Sequence, residues 1–255
     1  MSAAPRDLVP FAVTLRTPQG PVAGRIAIDP GPMRLGELVP FAQGITSMYA
    51  AKANAAEAQL GHATSCGPGC GACCRQLVPL SAPEAFALSD LVASLPPERR
   101  AVVLQRFERL VAEVGARAES AAVAGLRFDE PRPERIAEVA RQYFELGLPC
   151  PFLEEESCSI HPQRPCACRD YNVTTPPEWC AAPERHPIRK VPMPAGLSGP
   201  LARLATEKLG IAPELVVLPH ALAWVEEHAA LGARAWPGVE LFQAFLAAID
   251  AAPPS

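Results

Sequence analysis

Nine cysteines fall in two knots, and what this chain can fold into depends first on bringing those knots together. The first knot reads Cys66-Gly-Pro-Gly-Cys70-Gly-Ala-Cys73-Cys74. The second runs from Cys150-Pro-Phe-Leu through Cys158-Ser-Ile-His161 and Cys166-Ala-Cys168-Arg169 to Cys180. Between them lie 75 residues, 75–149, without a cysteine, and none occurs before 66 or after 180. An odd count cannot pair fully, and adjacent Cys73 and Cys74 are awkward disulfide partners. In a reducing compartment such clusters serve more often as metal ligands or redox thiols than as staples. Metal ligation is therefore the leading expectation, with a disulfide scaffold or free thiols as the alternatives.

The compartment follows from what the ends and apolar runs lack. Met1–Pro10 shows no basic segment followed by an apolar core. No unbroken apolar run approaches the ~18 residues of a membrane span. The expectation is a cytoplasmic protein with no membrane partner. Charged residues are 20% and hydrophobic residues 49% of 255, ordinary for a globular chain. The net charge of −4 and the absence of a basic stripe argue against nucleic acid as a partner. The 30 prolines are about twice the usual ~5%, which predicts short rigid connections.

Periodicity gives a mainly α fold: a helical domain with an N-terminal β-hairpin and a cysteine- and proline-rich metal-binding loop. Val9–Arg16 and Val22–Ile28 read as β-prone runs joined by a turn at Thr17–Pro21, with Phe11, Val13 and Leu15 on one face. Residues 35–60 form one helical pattern that Gly61 stops. Ser81-Ala-Pro-Glu84 has capping-box spacing and opens a helix to Leu95. Pro96-Pro97 breaks it. Val103, Phe107, Leu110 and Val114 then mark a helix over 98–124, and Ile136 to Tyr143 another that ends at Gly147. Thr175-Pro-Pro-Glu178 again has capping-box spacing and predicts one helical turn carrying Cys180. Further helices are expected near 199–210, 219–231 and 238–250. The organisation expected is a hairpin extension over 1–34, a cysteine-cluster domain over 35–190, and C-terminal helices over 191–255 packed on the same body.

The chemistry concentrates in the knots. Cys70-Gly-Ala-Cys73 alone is compatible with zinc, an iron–sulfur centre or a dithiol. Adding Cys66 and Cys74 makes the signal strong. If the chain turns helical at Cys70, Cys73 and Cys74 point roughly 100° apart. They then serve different metal centres, or one of them serves a multi-iron cluster. The second knot supplies Cys150, Cys158, Cys168 and Cys180, with Cys166 as a fifth. Arg75, Arg164 and Arg169 are placed by sequence to offset the negative charge of a thiolate site. His161 reads as a hydrogen-bonded loop histidine more readily than as a ligand. Glu154-Glu155-Glu156 reads as a solvated loop tip. No Ser/His/Asp hydrolase signature, phosphate-binding loop or dinucleotide fingerprint is present.

At these residues the chain resembles the bacterial YkgJ-like cysteine-cluster family, described as zinc- or iron-chelating domains. The likeness is carried by C-x₃-C-x₂-C-C at Cys66–Cys74, then Cys150-Pro-Phe-Leu, Cys158-Ser-Ile, Arg164-Pro165 and Cys168-Arg169, over about residues 66–180. It implies eight ligands: Cys66, Cys70, Cys73, Cys74, Cys150, Cys158, Cys168 and Cys180. Arg164 and Arg169 would then lie beside the cofactor, an iron–sulfur cluster or zinc. Cys166 is the extra thiol, and His161 stands where the family commonly has tyrosine. A related branch, the flagellin lysine methylases, looks like an iron–sulfur-dependent methyl-transfer group. The likeness to this chain is confined to the cysteine pattern and does not carry that activity over.

Three functions remain in view. The first is a metal-binding protein holding a [4Fe–4S]-type cluster or zinc. The second is an iron–sulfur-dependent enzyme, redox or protein-modifying, with a protein substrate. The third is a structural zinc domain that mediates interactions with a protein partner.

Overall fold

A computed structural model describes residues 7–117, 133–211 and 216–251. Strands β1 (Val9–Leu15) and β2 (Val22–Ile28) form the expected antiparallel hairpin, in register from Val9 opposite Ile28 to Leu15 opposite Val22. Its turn closes when the Gly20 N–H donates to the Thr17 carbonyl at 2.9 Å, with Gly20 left-handed at φ 99°. The inward face, Val13, Leu15, Val22 and Ile28, is buried, and Phe11 meets Phe242 edge-on at 5.3 Å. Strand β3 (Pro32–Arg34) follows, then a 3₁₀ turn at Leu35–Leu38, then α1 (Val39–Gln59). The single helix expected over 35–60 therefore starts with a tighter turn. Pro40 sits in the first turn of α1, where its missing N–H breaks no bond.

After the first knot come β4 (Pro79–Leu80) and α2 (Ala82–Ser94). The capping box read in the sequence forms: Ser81 accepts from the Glu84 N–H, and Glu84 accepts from the Ser81 N–H at 2.9 Å. Glu84 does more than cap. Its other carboxylate oxygen accepts the Cys166 N–H at 2.9 Å, so one buried side chain ties α2 to the second knot. Glu84→Ala strands the donors of Ser81 and Cys166 in the interior. It is expected to lower stability by about 2–3 kcal/mol, measured by urea unfolding.

Helix α3 (Pro97–Arg117) buries Val103, Phe107, Leu110 and Val114, the stripe expected. The portion expected beyond Arg117 lies outside the described residues. Helix α4 (Pro133–Glu145) buries Val139 and Tyr143. It is followed by Gly147 at φ 65°, the left-handed stop common after helices.

The second knot is more regular than a loop. It holds a two-strand hairpin, β5 (Leu153–Glu154) with β6 (Ser157–Cys158), a 3₁₀ turn at His161–Gln163, and α5 (Cys166–Asp170). A second 3₁₀ turn at Pro177–Ala181 carries Cys180. The turn at Cys180 is as expected, but its cap is not. Pro176 occupies the N-cap and no side chain caps the turn, because Pro176 and Pro177 already fix the entry.

Helix α6 (Ser198–Leu209) ends on left-handed Gly210. Strand β7 (Val216–Val217) pairs with β4. The helix expected over 219–231 divides into α7 (Ala221–Glu227) and α8 (Ala229–Gly232). At the break, the His228 ring stacks on Trp224 at 4.2 Å and its Nδ1 lies 2.7 Å from the Trp224 carbonyl, a side chain competing for a helix acceptor. Strand β8 (Ala235–Pro237) pairs with β3, and α9 (Gly238–Asp250) packs its Leu241, Phe242 and Phe245 into the centre. One core runs from Val13 of the hairpin to Ile249 of α9 and includes Phe152, Ile160 and Cys166 of the second knot. A smaller cluster, with Leu110, Val114, Val139 and Tyr143, joins α3 to α4. The chain is thus mainly helical with an antiparallel hairpin at its N-terminus.

Candidate metal centre

The first knot is not helical from Cys70. The Cys70 N–H donates to the Gly67 carbonyl at 3.2 Å, with Gly69 left-handed at φ 84°, and a 3₁₀ turn then covers Ala72–Arg75. At about three residues per turn, Cys73 and Cys74 leave the backbone roughly 120° apart. The second knot is laced onto it. The Cys150 N–H donates to the Cys74 carbonyl at 2.8 Å, the Gly69 N–H to Ser157 Oγ at 3.1 Å, and the Val173 N–H to Cys66 Sγ at 3.4 Å.

A pair of charged struts completes the join. Arg75 makes two bonds to the Glu156 carboxylate, at 2.7 and 3.0 Å, and a third to the Gly71 carbonyl. Glu154 spans Arg99 and Arg106 on α3. The glutamate run is therefore a clamp at two of its three positions rather than a solvated tip. The turn between β5 and β6 holds Glu155 and Glu156 at φ 48° and 56°, backbone that favours glycine, and the paired carboxylates hold it in place. Gly71 faces this turn so closely that a methyl there would overlap Glu156 Oε2 and stand 2.9 Å from Leu153. Arg75, expected to offset thiolate charge, is bonded to Glu156 and its charge also acts on Cys74.

The eight thiols sort into two neighbourhoods. Cys73, Cys74, Cys150, Cys158 and Cys168 line one cavity of about 240 Å³, and Cys74 and Cys168 each act electrostatically on Cys73, Cys150 and Cys158. Its remaining walls include Phe152, Ile160, Leu218, Tyr171 and Arg164. Cys66, Cys70 and Cys180 form the other neighbourhood, and Cys73 acts on members of both. Among the described residues no three His, Cys, Asp or Glu side chains close on one ligating point. The inner thiols stand around a chamber instead.

Burial governs their titration. It pushes the Cys150 thiol up to about 12 and Cys180 up to about 11, and it raises Cys66, Cys158 and Cys168 as well. Cys73 and Cys74 share one hydrogen bond, which favours a thiolate on Cys73 while Cys74 keeps its proton. Two consequences follow. Metal entering the buried thiols must displace protons, so loading strengthens as pH rises. In the metal-free chain the raised Cys150 value stabilises the fold below the ordinary thiol value of about 9. That contribution is lost as pH climbs towards 12, so the melting temperature of metal-free protein is expected to fall over this window.

Arg164 lines the cavity and acts on Cys66, Cys73, Cys158 and Cys168, the position expected for a charge-compensating cation. Arg169 is near Cys158 and Cys168, but its guanidinium bonds the Arg164 and Pro162 carbonyls and Ser47 Oγ, which fixes the loop. His161 is pushed down by burial and by both arginines and does not line the cavity. His62 lies against Arg189 and Glu57, and His186 stacks on Trp179. Cys166, 0% exposed, faces Thr46 and Glu84 on the other side of α5 from Cys168. Tyr171 stands on the cavity wall with Lys190 over its ring at 4.9 Å.

An all-thiol donor set around a chamber suits zinc or iron and does not suit hard cations such as magnesium or calcium. Residues 65–185 match the CxxCxxCC family, described as a putative zinc- or iron-chelating domain. This segment, just under half of the chain, is similar to that domain. Neither a curated protein nor a solved structure matches the chain. The match begins at Ser65, whose N–H donates to the Val173 carbonyl, and it takes in both knots together with α3 and α4. No helix among the described residues is long and apolar enough to cross a membrane.

Proposed function

We propose that the protein is a cytoplasmic metal-binding protein whose eight cysteines hold an iron–sulfur cluster in the inner neighbourhood and a further metal in the outer one. The observation that carries this reading is five thiols and one arginine around a single cavity of about 240 Å³. That is about eight times the ~30 Å³ share of one water molecule. A closed tetrahedral zinc takes four sulfurs at about 2.3 Å and leaves no such chamber, whereas an inorganic cluster needs one. A bound cluster supplies one-electron chemistry. The chain supplies the thiols, the Arg164 charge that offsets them, and the apolar walls of Phe152, Ile160 and Leu218 that keep water out.

A second reading, an enzyme, is favoured by a groove of about 1210 Å³ that Cys70 lines. Such a groove would admit a substrate beside the metal. Anaerobic purification with metal and acid-labile sulfide analysis tests the main reading. Coloured protein with iron and sulfide is expected. Colourless protein with zinc at both neighbourhoods would replace the cluster by structural or exchangeable zinc.

A further inference from the structure

The hairpin of β5 and β6 is fastened differently at its base and at its tip. The base is apolar and fixed. Phe152 is buried and meets Phe107 of α3 edge-on at 5.6 Å, Ile160 lies in the same core, and the Cys150 N–H donates to the Cys74 carbonyl. The tip, 153–158, is held chiefly by polar contacts to other segments, with Leu153 against Gly71. Glu154 meets Arg99 and Arg106 of α3 at 3.1 and 2.7 Å, and Glu156 meets Arg75 at 2.7 Å. Ser157 Oγ accepts the Gly69 N–H at 3.1 Å. The two glutamate side chains are 30% and 52% exposed, so water competes for each pair and none is strong.

The turn itself works against closure. Glu154 pairs with Ser157, which leaves Glu155 and Glu156 as a two-residue loop at φ 48° and 56°. Positive φ at both positions marks a type I′ turn, which Asn-Gly suits and a glutamate pair does not. Three adjacent carboxylates also repel one another along the tip. Strained backbone persists only where its surroundings hold it, and here the three arginines do so. Among the described residues Glu155 has no hydrogen-bond or ion-pair partner, so it adds strain and no fastening.

Both arms of this hairpin line the thiol cavity, Cys150 and Phe152 from the first, Cys158 and Ile160 from the second. Cys150 belongs to the fixed base and Cys158 to the clamped tip. We propose that the tip is a flap over the cavity, caught by Arg75–Glu156 and Glu154–Arg99/Arg106 and sprung by its left-handed turn. When the catches release, Cys158 swings outward while Cys150 and Cys168 stay in place. Resting on the metal-binding reading above, the flap governs how metal enters and leaves the cavity. The motion itself belongs to the chain with or without metal.

The test takes the full chain, reduced and metal-free, through a brief pulse of iodoacetamide, with labelled cysteines mapped by mass spectrometry. Labelling then follows the population of the open form. Glu154→Gln/Glu156→Gln keeps the shape of the tip and removes its charges. It is expected to speed Cys158 labelling by about 3–10-fold, the combined strength usual for two or three exposed ion pairs. Cys150 and Cys168 should label as before, which also shows that the variant is folded. Added sodium chloride should speed Cys158 in the unaltered chain and have little further effect in the double variant. Glu155→Gln removes the same charge from an unfastened position and should match the unaltered chain. Glu155→Asn, which suits the left-handed backbone, should label Cys158 more slowly than Glu155→Gln. Cys158 labelling that stays in step with Cys150 and Cys168, or that rises equally in Glu155→Gln, overturns the flap. Gating is read separately, from the rate at which zinc(II)-loaded protein yields its metal to excess chelator. The double variant should release zinc faster by a similar factor, and an unchanged rate overturns the gating role. Protein that takes up neither zinc nor iron overturns gating together with the metal reading, while the alkylation result still decides the flap.

Discussion

Gly238→Ala is expected to lower stability by about 3 kcal/mol or more, although residue 238 lies far from any thiol in the sequence. A methyl there would overlap the carbonyl oxygen of Asp29 and come within 3.1 Å of the Gly31 carbonyl. Both obstacles are backbone, so neither can swing away as a side chain could. The same substitution displaces the bond from the Gly238 N–H to the Gly31 carbonyl, 2.8 Å long, which anchors the start of α9. Overpacking of this kind typically costs about 1–3 kcal/mol, and the lost bond adds about 1 kcal/mol. The strand pair of β3 and β8 would open at the same point, uncoupling the hairpin end of the chain from Phe242 and Phe245. Chemical unfolding measures the loss. A change below about 1 kcal/mol would mean that the two ends are not locked there.

Cys168→Ser is expected to abolish metal at the inner neighbourhood, with an affinity loss well beyond the ~10–100-fold seen when an outer partner is removed. Cys168 acts on Cys73, Cys150 and Cys158 and lines the cavity with them. Cys166→Ser, two residues away, is the matched control. Its side chain is buried against Thr46 and Glu84 rather than in the cavity. Metal content should be retained there, with a stability cost of about 1 kcal/mol. Metal analysis with circular dichroism separates the outcomes. A Cys168→Ser protein that stays folded and loses metal supports a binding role. One that unfolds assigns the metal to fastening the second knot. Loss of metal in Cys166→Ser would contradict the division of α5 into a cavity face and a core face.

Much of the body was legible because its signals are local. The stripe Val103, Phe107, Leu110 and Val114 repeats at helical spacing and is buried on one face of α3. The Ser81–Glu84 box caps α2 as its spacing predicts, since both partners lie within one turn. Where a reading missed, a longer-range or competing contact prevailed. The continuous pattern over 219–231 did not reveal that His228 would stack on Trp224 and interrupt the helix. Thr175 had the spacing of a cap, but two prolines already set the entry to the turn at Cys180. The three glutamates read as solvent-facing because their partners, Arg75, Arg99 and Arg106, are 48 or more residues away in sequence.

By itself the sequence determined the donor chemistry. Two knots holding nine cysteines supply soft sulfur donors wherever they are placed. It also determined the helices between the knots, whose periodic apolar faces are a property of neighbouring residues. Only the tertiary structure decided how the thiols divide. Cys70 and Cys73 belong to one C-x-x-C, yet Cys73 lines the inner cavity with Cys74 whereas Cys70 lines the groove. Cys66 and Cys180 are far apart in the chain, yet they lie near enough to act on each other electrostatically. That arrangement depends on the packing of α3 against α4 and on the Arg75–Glu156 pair, which hold the second knot against the first. It is a non-local outcome that spacing within either knot does not encode.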